Sequence, residues 1–457
     1  MRNFEFMRKI IFIFAAFATI LAGCNLNSST TDETSDEARV SAFTFYEDTA
    51  NAGLTEAVYK IVHSTDTGLI YNQDSLAYGT RLDSVVPYVV YQETPGAAYF
   101  ILPDTLITST GSDTMNLNQS PIFLRVVASD MVSERLYLIR LSVHQVDPEL
   151  YVWKQLTEEI FSKQHCETKA FWQNGKLVLL VNNGLSTQVY ESNDGSVWQK
   201  TANSVSELPT PCHVRDIVQH DDTLYYISNQ KLYYSSNGTE WSNADYSGAD
   251  YELVNMLLSY HGKAWAVVQD KANKQLSLAT VDAKKVTLMQ EMDGLMDGYL
   301  PAHFPVGDFA ALEFESSSER PRAMIVGGRA INGEVVNSRW NIEYVDTEGY
   351  RLKDFTISQP NFESLTGASI IQYDNQLLMF GGIDNDLTWR SDMLYSDDEG
   401  MHWYVPDTAK NMLPDSYKTR QYQSVVVDPA HYIYIIGGES DSESFSDVYR
   451  GKRNLID

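Results

Sequence analysis

Eight residues in the second half of the chain stand where short loops join apolar runs: His213, Arg215, His303, Arg329, Trp389, Arg390, Tyr417 and Arg420. A guanidinium fork grips an acidic group through two parallel hydrogen bonds, and an aromatic plane offers a face for stacking. The set therefore suits sugars and acidic groups. Catalysis would need more than this. Local spacing assembles no Ser-His-Asp set, no cluster of His and Asp metal ligands, and no glycine-rich loop that leads into a helix with Lys. The expectation is a non-catalytic surface for a glycan or protein ligand, with no cofactor and no metal.

Two cysteines, in His165-Cys166 and Cys212-His213, fall within a residue of equivalent positions when the apolar runs that follow them are aligned. Three readings are open: two buried thiols, a Cys166 to Cys212 disulfide in an oxidising compartment, or a Cys2His2 zinc site whose spacing lacks any finger-like pair.

The elements that position these residues show in a repeat. Three apolar runs end in Gly-Gly, at Gly327-Gly328, Gly381-Gly382 and Gly437-Gly438, and eight to ten residues later a further strand opens with Ser338, Ser391 or Ser446. The glycine pairs lie 54 and 56 residues apart. A period near 50 built of strands and turns marks the blade of a β-propeller. From Tyr151 the spacing predicts six four-stranded blades, at about 166–201, 213–245, 252–291, 307–357, 366–406 and 420–457. The sixth supplies three strands, so Leu150 to Leu156 is expected to pair with the C-terminal strand and close the ring, removing exposed edges.

Ser396-Asp397-Asp398-Glu399-Gly400-Met401-His402-Trp403 resembles the Asp-box, Ser-x-Asp-x-Gly-x-x-Trp, of sialidase-like propellers, with degenerate copies at Asn193 to Trp198 and Ser236 to Trp241. The Gly-Gly strands resemble kelch blades. Both resemblances imply four-stranded blades and neither supplies a catalytic residue. A sialidase-type glycoside hydrolase is the alternative function; it needs an arginine triad, a Tyr nucleophile with a Glu base, and an Asp acid. The Arg-Ile-Pro motif that precedes the first Asp-box in sialidases is missing here.

Upstream, residues 40–148 alternate β-rich runs with turn residues, at Ser41–Tyr46, Ala57–Val62, Val85–Tyr91, Ala97–Leu102, Ile122–Ala128 and Leu136–His144. The last two read as a hairpin closing a sandwich that resembles Ig-like and cadherin-like modules. The runs Ala57 to Val62, Ile70 to Leu76, Tyr78 to Ser84 and His144 to Trp153 resemble an uncharacterised Bacteroidota lipoprotein family that joins such a module to a C-terminal propeller. The fold expected is all-β: an Ig-like sandwich over 40–148 and a six-bladed propeller over 149–457.

Arg2, Arg8 and Lys9 precede the apolar run Ile10 to Ile20 and then Leu21-Ala22-Gly23-Cys24. This is the plan of a signal peptide over 1–23, and Leu-Ala-Gly-Cys resembles the bacterial lipobox, which implies acylation of Cys24 and a membrane anchor. Residues 24–39, nearly without apolar side chains beyond the cysteine, read as a flexible acidic tether that resembles the surface-export signal of Bacteroidota lipoproteins. A surface-exposed outer-membrane lipoprotein is expected. The formal net charge of −27 repels phosphate backbones, so nucleic acid is not expected as a partner.

Overall fold

The computed structural model describes residues 34–48, 51, 53–148, 150–162, 165–356, 365–384, 386–406, 413–414 and 416–454. The signal peptide expected over 1–23 and the lipid attachment expected at Cys24 lie outside the described residues. The chain divides into two compact units, Met1–Asp147 and Pro148–Asp457.

In the first unit the strands Tyr59–Val62, Thr67–Asn72, Glu134–Arg140, Ile122–Val127, Ala97–Leu102 and Thr105–Thr108 form, in that order, one six-stranded sheet. Val40–Phe45 and Pro87–Tyr91 form a second, two-stranded sheet. Phe43 and Phe45 of the small sheet share one buried cluster with Ile70, Phe100, Leu124 and Tyr137 of the large one. The short strands Thr67–Asn72 and Thr105–Thr108 are not among the sequence expectations, and Thr67–Asn72 runs parallel to Glu134–Arg140. Within the stretch read as a tether, Ala38 is buried and the Ser35 amide donates to Ser129 Oγ at 2.7 Å.

The second unit holds, among the described residues, six sheets of three or four strands in chain order, and a small two-stranded pairing of Pro305–Gly307 with Arg329–Ala330. The first is Glu167–Gln173, Lys176–Asn182, Thr187–Ser192 and Gln199–Ala202. The others begin at Val218–His220, Tyr251–Tyr260, Ala310–Glu315, Ser369–Tyr373 and Ser424–Val427. Each is an antiparallel meander. The second strands, such as Lys176–Asn182 and Ile433–Ile436, are almost unbroken apolar runs because a neighbouring sheet covers each face. Local turn chemistry fixes the hairpins: Asn174-Gly175, both at positive φ, make the two-residue turn that suits the strand twist.

The fifth sheet has three described strands, with Tyr404 making only an isolated bridge to Tyr395. The sixth takes its fourth strand from the start of the unit: Tyr151–Thr157 pairs antiparallel with Val448–Arg453. The first strands follow one another in cyclic contact, Glu167–Gln173 reaching the second sheet through the short turn Val214–Asp216 and the last first strand returning to Glu167–Gln173. Each neighbouring pair of sheets encloses its own apolar wedge. One holds Phe171, Val178 and Leu180 against Leu224 and Trp241. The closing wedge holds Tyr434 and Ile436 against Leu177 and Leu179.

The glycine pairs lock these wedges. The first glycine of each pair has positive φ, and a Cβ there would lie 2.1 Å from Leu365 O at Gly327, 2.3 Å from Arg420 O at Gly381, and 2.4 Å from Thr168 Oγ1 at Gly437. Each contact reaches the lead-in or first strand of the next sheet, so only a residue without a side chain lets the sheets approach this closely.

Three turns that follow third strands share one bonding pattern. Gly195 N donates to Ser192 Oγ at 2.9 Å, Gly238 N to Ser235 Oγ at 2.9 Å, and Gly400 N to Ser396 Oγ at 2.8 Å. Asp194, Asn237 and Asp398 accept further backbone N–H groups. The anchoring serines Ser192 and Ser235 precede the two degenerate motifs by one residue. Alternating strand direction places these turns at the end of the channel opposite the glycine pairs.

Candidate binding site at the channel mouth

The six first strands enclose an open channel of about 500 Å³, lined from Lys169 to Trp172, Arg215 to Gln219, Asn255 to Ser259, Asp308 to Glu313, Gly367 to Ile370 and Tyr422 to Val427. Its mouth lies where first strands start and second strands end in Gly-Gly. There Arg215 sits on a short 3-10 turn, Val214–Asp216. Its Nη2 donates to Glu167 Oε1 at 2.7 Å, and its guanidinium lies 4.1 Å from the centre of the Tyr422 ring. His213 Nδ1 bonds the same Glu167 oxygen at 2.9 Å. Glu167 Oε2 is buried with no hydrogen-bond partner among the described residues.

Burial opposes the charge of Arg215, but Glu167, Tyr422, Asp308 and Glu439 outweigh it and hold the guanidinium pKa above its ordinary value. Two carboxylates are also shifted upward, burial raising Asp216 and Glu439 above the usual range, which for an acid disfavours the charged form. Burial also raises the Tyr422 hydroxyl. The mouth thus combines a fixed cation, an aromatic ring beneath it, and several acceptor oxygens removed from water.

The structure sorts the eight residues expected from the sequence. His213 and Arg215 meet on Glu167. Arg329 reaches the same mouth by way of Asp308, its Nε donating at 2.9 Å to a carboxylate that also acts on Arg215. His303 is half exposed and lies apart, 3.7 Å from Asp354 and against Trp340. Trp389, half-buried, bridges Ile383 within its own loop, and Arg390 lies 3.7 Å from Asp392.

Arg420 and Tyr417 are corrections. Arg420 is 0 % exposed; its guanidinium takes both oxygens of Asp447 and the carbonyls of Gly437 and Lys418. It is packed 3.9 Å from the Phe445 ring and 4.7 Å from that of Tyr417. Tyr417 donates to Gln423, and burial pushes its hydroxyl up to about 12. With every guanidinium nitrogen engaged and Arg420 fully buried, this pair holds the sixth sheet together and offers nothing to a ligand.

Cys166 and Cys212 are not joined by a disulfide. Burial pushes the Cys212 thiol up to about 12, far from the thiolate that disulfide exchange or zinc ligation needs. Among the described residues no group of three or more His, Cys, Asp or Glu side chains is placed to hold a metal ion.

Sequence reasoning missed Glu167, Asp216, Asp308, Tyr422 and Glu439. A usable signal was present, because Glu167, Asp216 and Asp308 stand at or just before the starts of first strands, where a ring brings unlike blades together. In a chain with 61 Asp and Glu they looked like ordinary surface acids.

The C-terminal unit is a β-propeller in an all-β chain, and residues 147–456 match the DUF6242 beta propeller domain. Residues 26–141 match the DUF6242 N-terminal domain, a domain of unknown function. The chain belongs to this family. No curated protein matches it. Among solved structures, one described as the structure of YjhT is similar at 13 % identity with a TM-score of 0.43, over 64 % of this chain and 95 % of that one. An alpha-L-arabinanase of Penicillium chrysogenum complexed with arabinobiose is similar at 12 % identity with a TM-score of 0.42, over 66 % of this chain and 99 % of that one.

Proposed function

We propose that the protein is a surface-exposed outer-membrane lipoprotein whose N-terminal unit is an Ig-like spacer and whose six-bladed, kelch-like and Asp-box-bearing propeller binds a glycan or protein ligand without catalysis. The six wedges between sheets and the shared serine turns support the blade reading. The binding reading is carried by Glu167: one oxygen receives His213 and Arg215, while the other is buried without a donor among the described residues. A buried acceptor left unpaired costs about 1–3 kcal/mol, and a ligand hydroxyl that donates to it recovers much of that. Sugars carry such hydroxyls.

The sialidase-type alternative requires three arginines to converge on one substrate carboxylate. Arg329 lies against Asp308, Arg390 near Asp392, and Arg420 is closed off with Asp447. This distribution favours binding over that chemistry.

The test is a glycan array screened with the wild-type protein, followed by affinity measurement on the hits. Arg215→Ala and Tyr422→Ala are expected to weaken the retained ligand at least tenfold, and Trp389→Ala to change it by less than about twofold, since a lost charge-assisted bond is worth about 1.5–3 kcal/mol. Retained affinity in both mouth variants would move the site elsewhere.

The anchor rests on Leu21-Ala22-Gly23-Cys24. Metabolic labelling with a palmitate analogue is expected to tag the wild type and to leave Cys24→Ala unlabelled and soluble. An unlabelled wild type would end the lipoprotein reading.

A further inference from the structure

Below the mouth, the channel is lined by a cation, Lys169, that has no hydrogen-bonded or close ion-pair partner among the described residues. Lys169 lies two residues beyond Glu167 on the same strand, and both side chains belong to the half-buried alternate set of that strand. Two residues of strand advance about 7 Å, so Lys169 lines the bore one step deeper than the mouth cluster. Its ammonium makes no hydrogen bond or close ion pair among the described residues; its one ring neighbour is Phe171, 6.0 Å from Nζ to centroid. Asp216 lies near enough to act on it electrostatically, but Asp216 is engaged by Asn255 and faces Arg215, His213 and Asp308.

An ammonium with three donors, half-buried in the bore of a ring and given no protein acceptor among the described residues, is a charge that an incoming anion can pair. We propose that the channel bore is a carboxylate-binding site in which Lys169 pairs with the acid group of an acidic sugar whose hydroxyls are held at the Glu167, Arg215 and Tyr422 mouth. This rests on the mouth reading above and narrows its ligand to one bearing a carboxylate about 7 Å from its mouth-bound hydroxyls. Burial lowers the Lys169 pKa, so a bound carboxylate restores charge to a group whose surroundings disfavour it. Asp216, raised by burial, presents less opposing charge to the incoming acid than an exposed aspartate would.

The experiment measures binding of D-glucuronate and of D-glucose, its neutral counterpart, to the full chain by titration calorimetry. The variants are Lys169→Met, which keeps the volume, and Lys169→Gln, which keeps a donor without the charge. Wild type is expected to prefer glucuronate at least tenfold, both Lys169 variants to lose that preference while still binding glucose, and Arg215→Ala to weaken both sugars together. Equal binding of the two sugars to wild type, or a preference that survives in both Lys169 variants, overturns the Lys169 site and leaves the mouth intact. A preference that depends on Lys169 but is indifferent to Arg215→Ala and Tyr422→Ala keeps the bore site and removes the mouth. Binding of neither sugar at millimolar concentration overturns the proposal.

Discussion

Arg420→Ala is expected to destabilise the propeller by about 3–5 kcal/mol, the usual cost of removing one partner from a buried, hydrogen-bonded ion pair. The carboxylate of Asp447 would be left without the fork that takes both its oxygens, and the carbonyls of Gly437 and Lys418 would lose their donors. The stacked layer of Phe445, Tyr417 and Tyr449 around the guanidinium would collapse into a void. Chemical denaturation of wild type and variant measures this directly. A loss below about 1 kcal/mol would mean that Arg420 behaves as a surface arginine. Glycan affinity, measured where the variant remains folded, is expected to be unchanged.

The second large effect concerns closure of the ring. A chain beginning at Glu158 lacks Tyr151–Thr157, the strand that pairs with Val448–Arg453, and is expected to melt roughly 10 °C below one beginning at Pro148. Tyr151 is 5 % exposed and packs against Tyr373, with ring centres 5.9 Å apart. Trp153 lies directly over Gly451, where a Cβ would come within 2.3 Å of the indole. Losing both aromatics forfeits about 5 kcal/mol of apolar burial and leaves Val448–Arg453 as an open edge prone to association. Equal melting temperatures would mean that the N-terminal strand does not close the ring.

The period was legible because each glycine pair performs the same backbone task against the next sheet. Gly381 cannot carry a side chain beside Arg420 O, so the motif stands wherever two sheets must approach that way. Apolar second strands such as Ile433–Ile436 were visible for a similar reason, since covering both faces leaves no polar alternation to confuse. Thr67–Asn72 and Thr105–Thr108 were not visible. The second is four residues of largely exposed edge strand, and the parallel pairing of the first depends on a partner far along the chain.

At the site, the cations were easier to find than their surroundings. Arg215 and Arg420 have the same residue type at comparable lead-in positions, yet one faces the channel and the other is sealed by Phe445 and Asp447. Nothing local distinguishes them, because the decision is made by side chains from other strands. Lys169 escaped notice for the opposite reason: it lies within a strand, where a lysine ordinarily points to solvent, and only closure of the ring turns that direction into an enclosed bore.

Hydrogen exchange read by mass spectrometry, with and without the tightest ligand from the glycan screen, tests the mouth most directly. Protection is expected in the segments that carry Glu167 to Lys169, Val214 to Val218 and Tyr422 to Val425. Protection confined to the turns at Ser192 to Trp198, Ser235 to Trp241 and Ser396 to Trp403, or to the N-terminal unit, would contradict it.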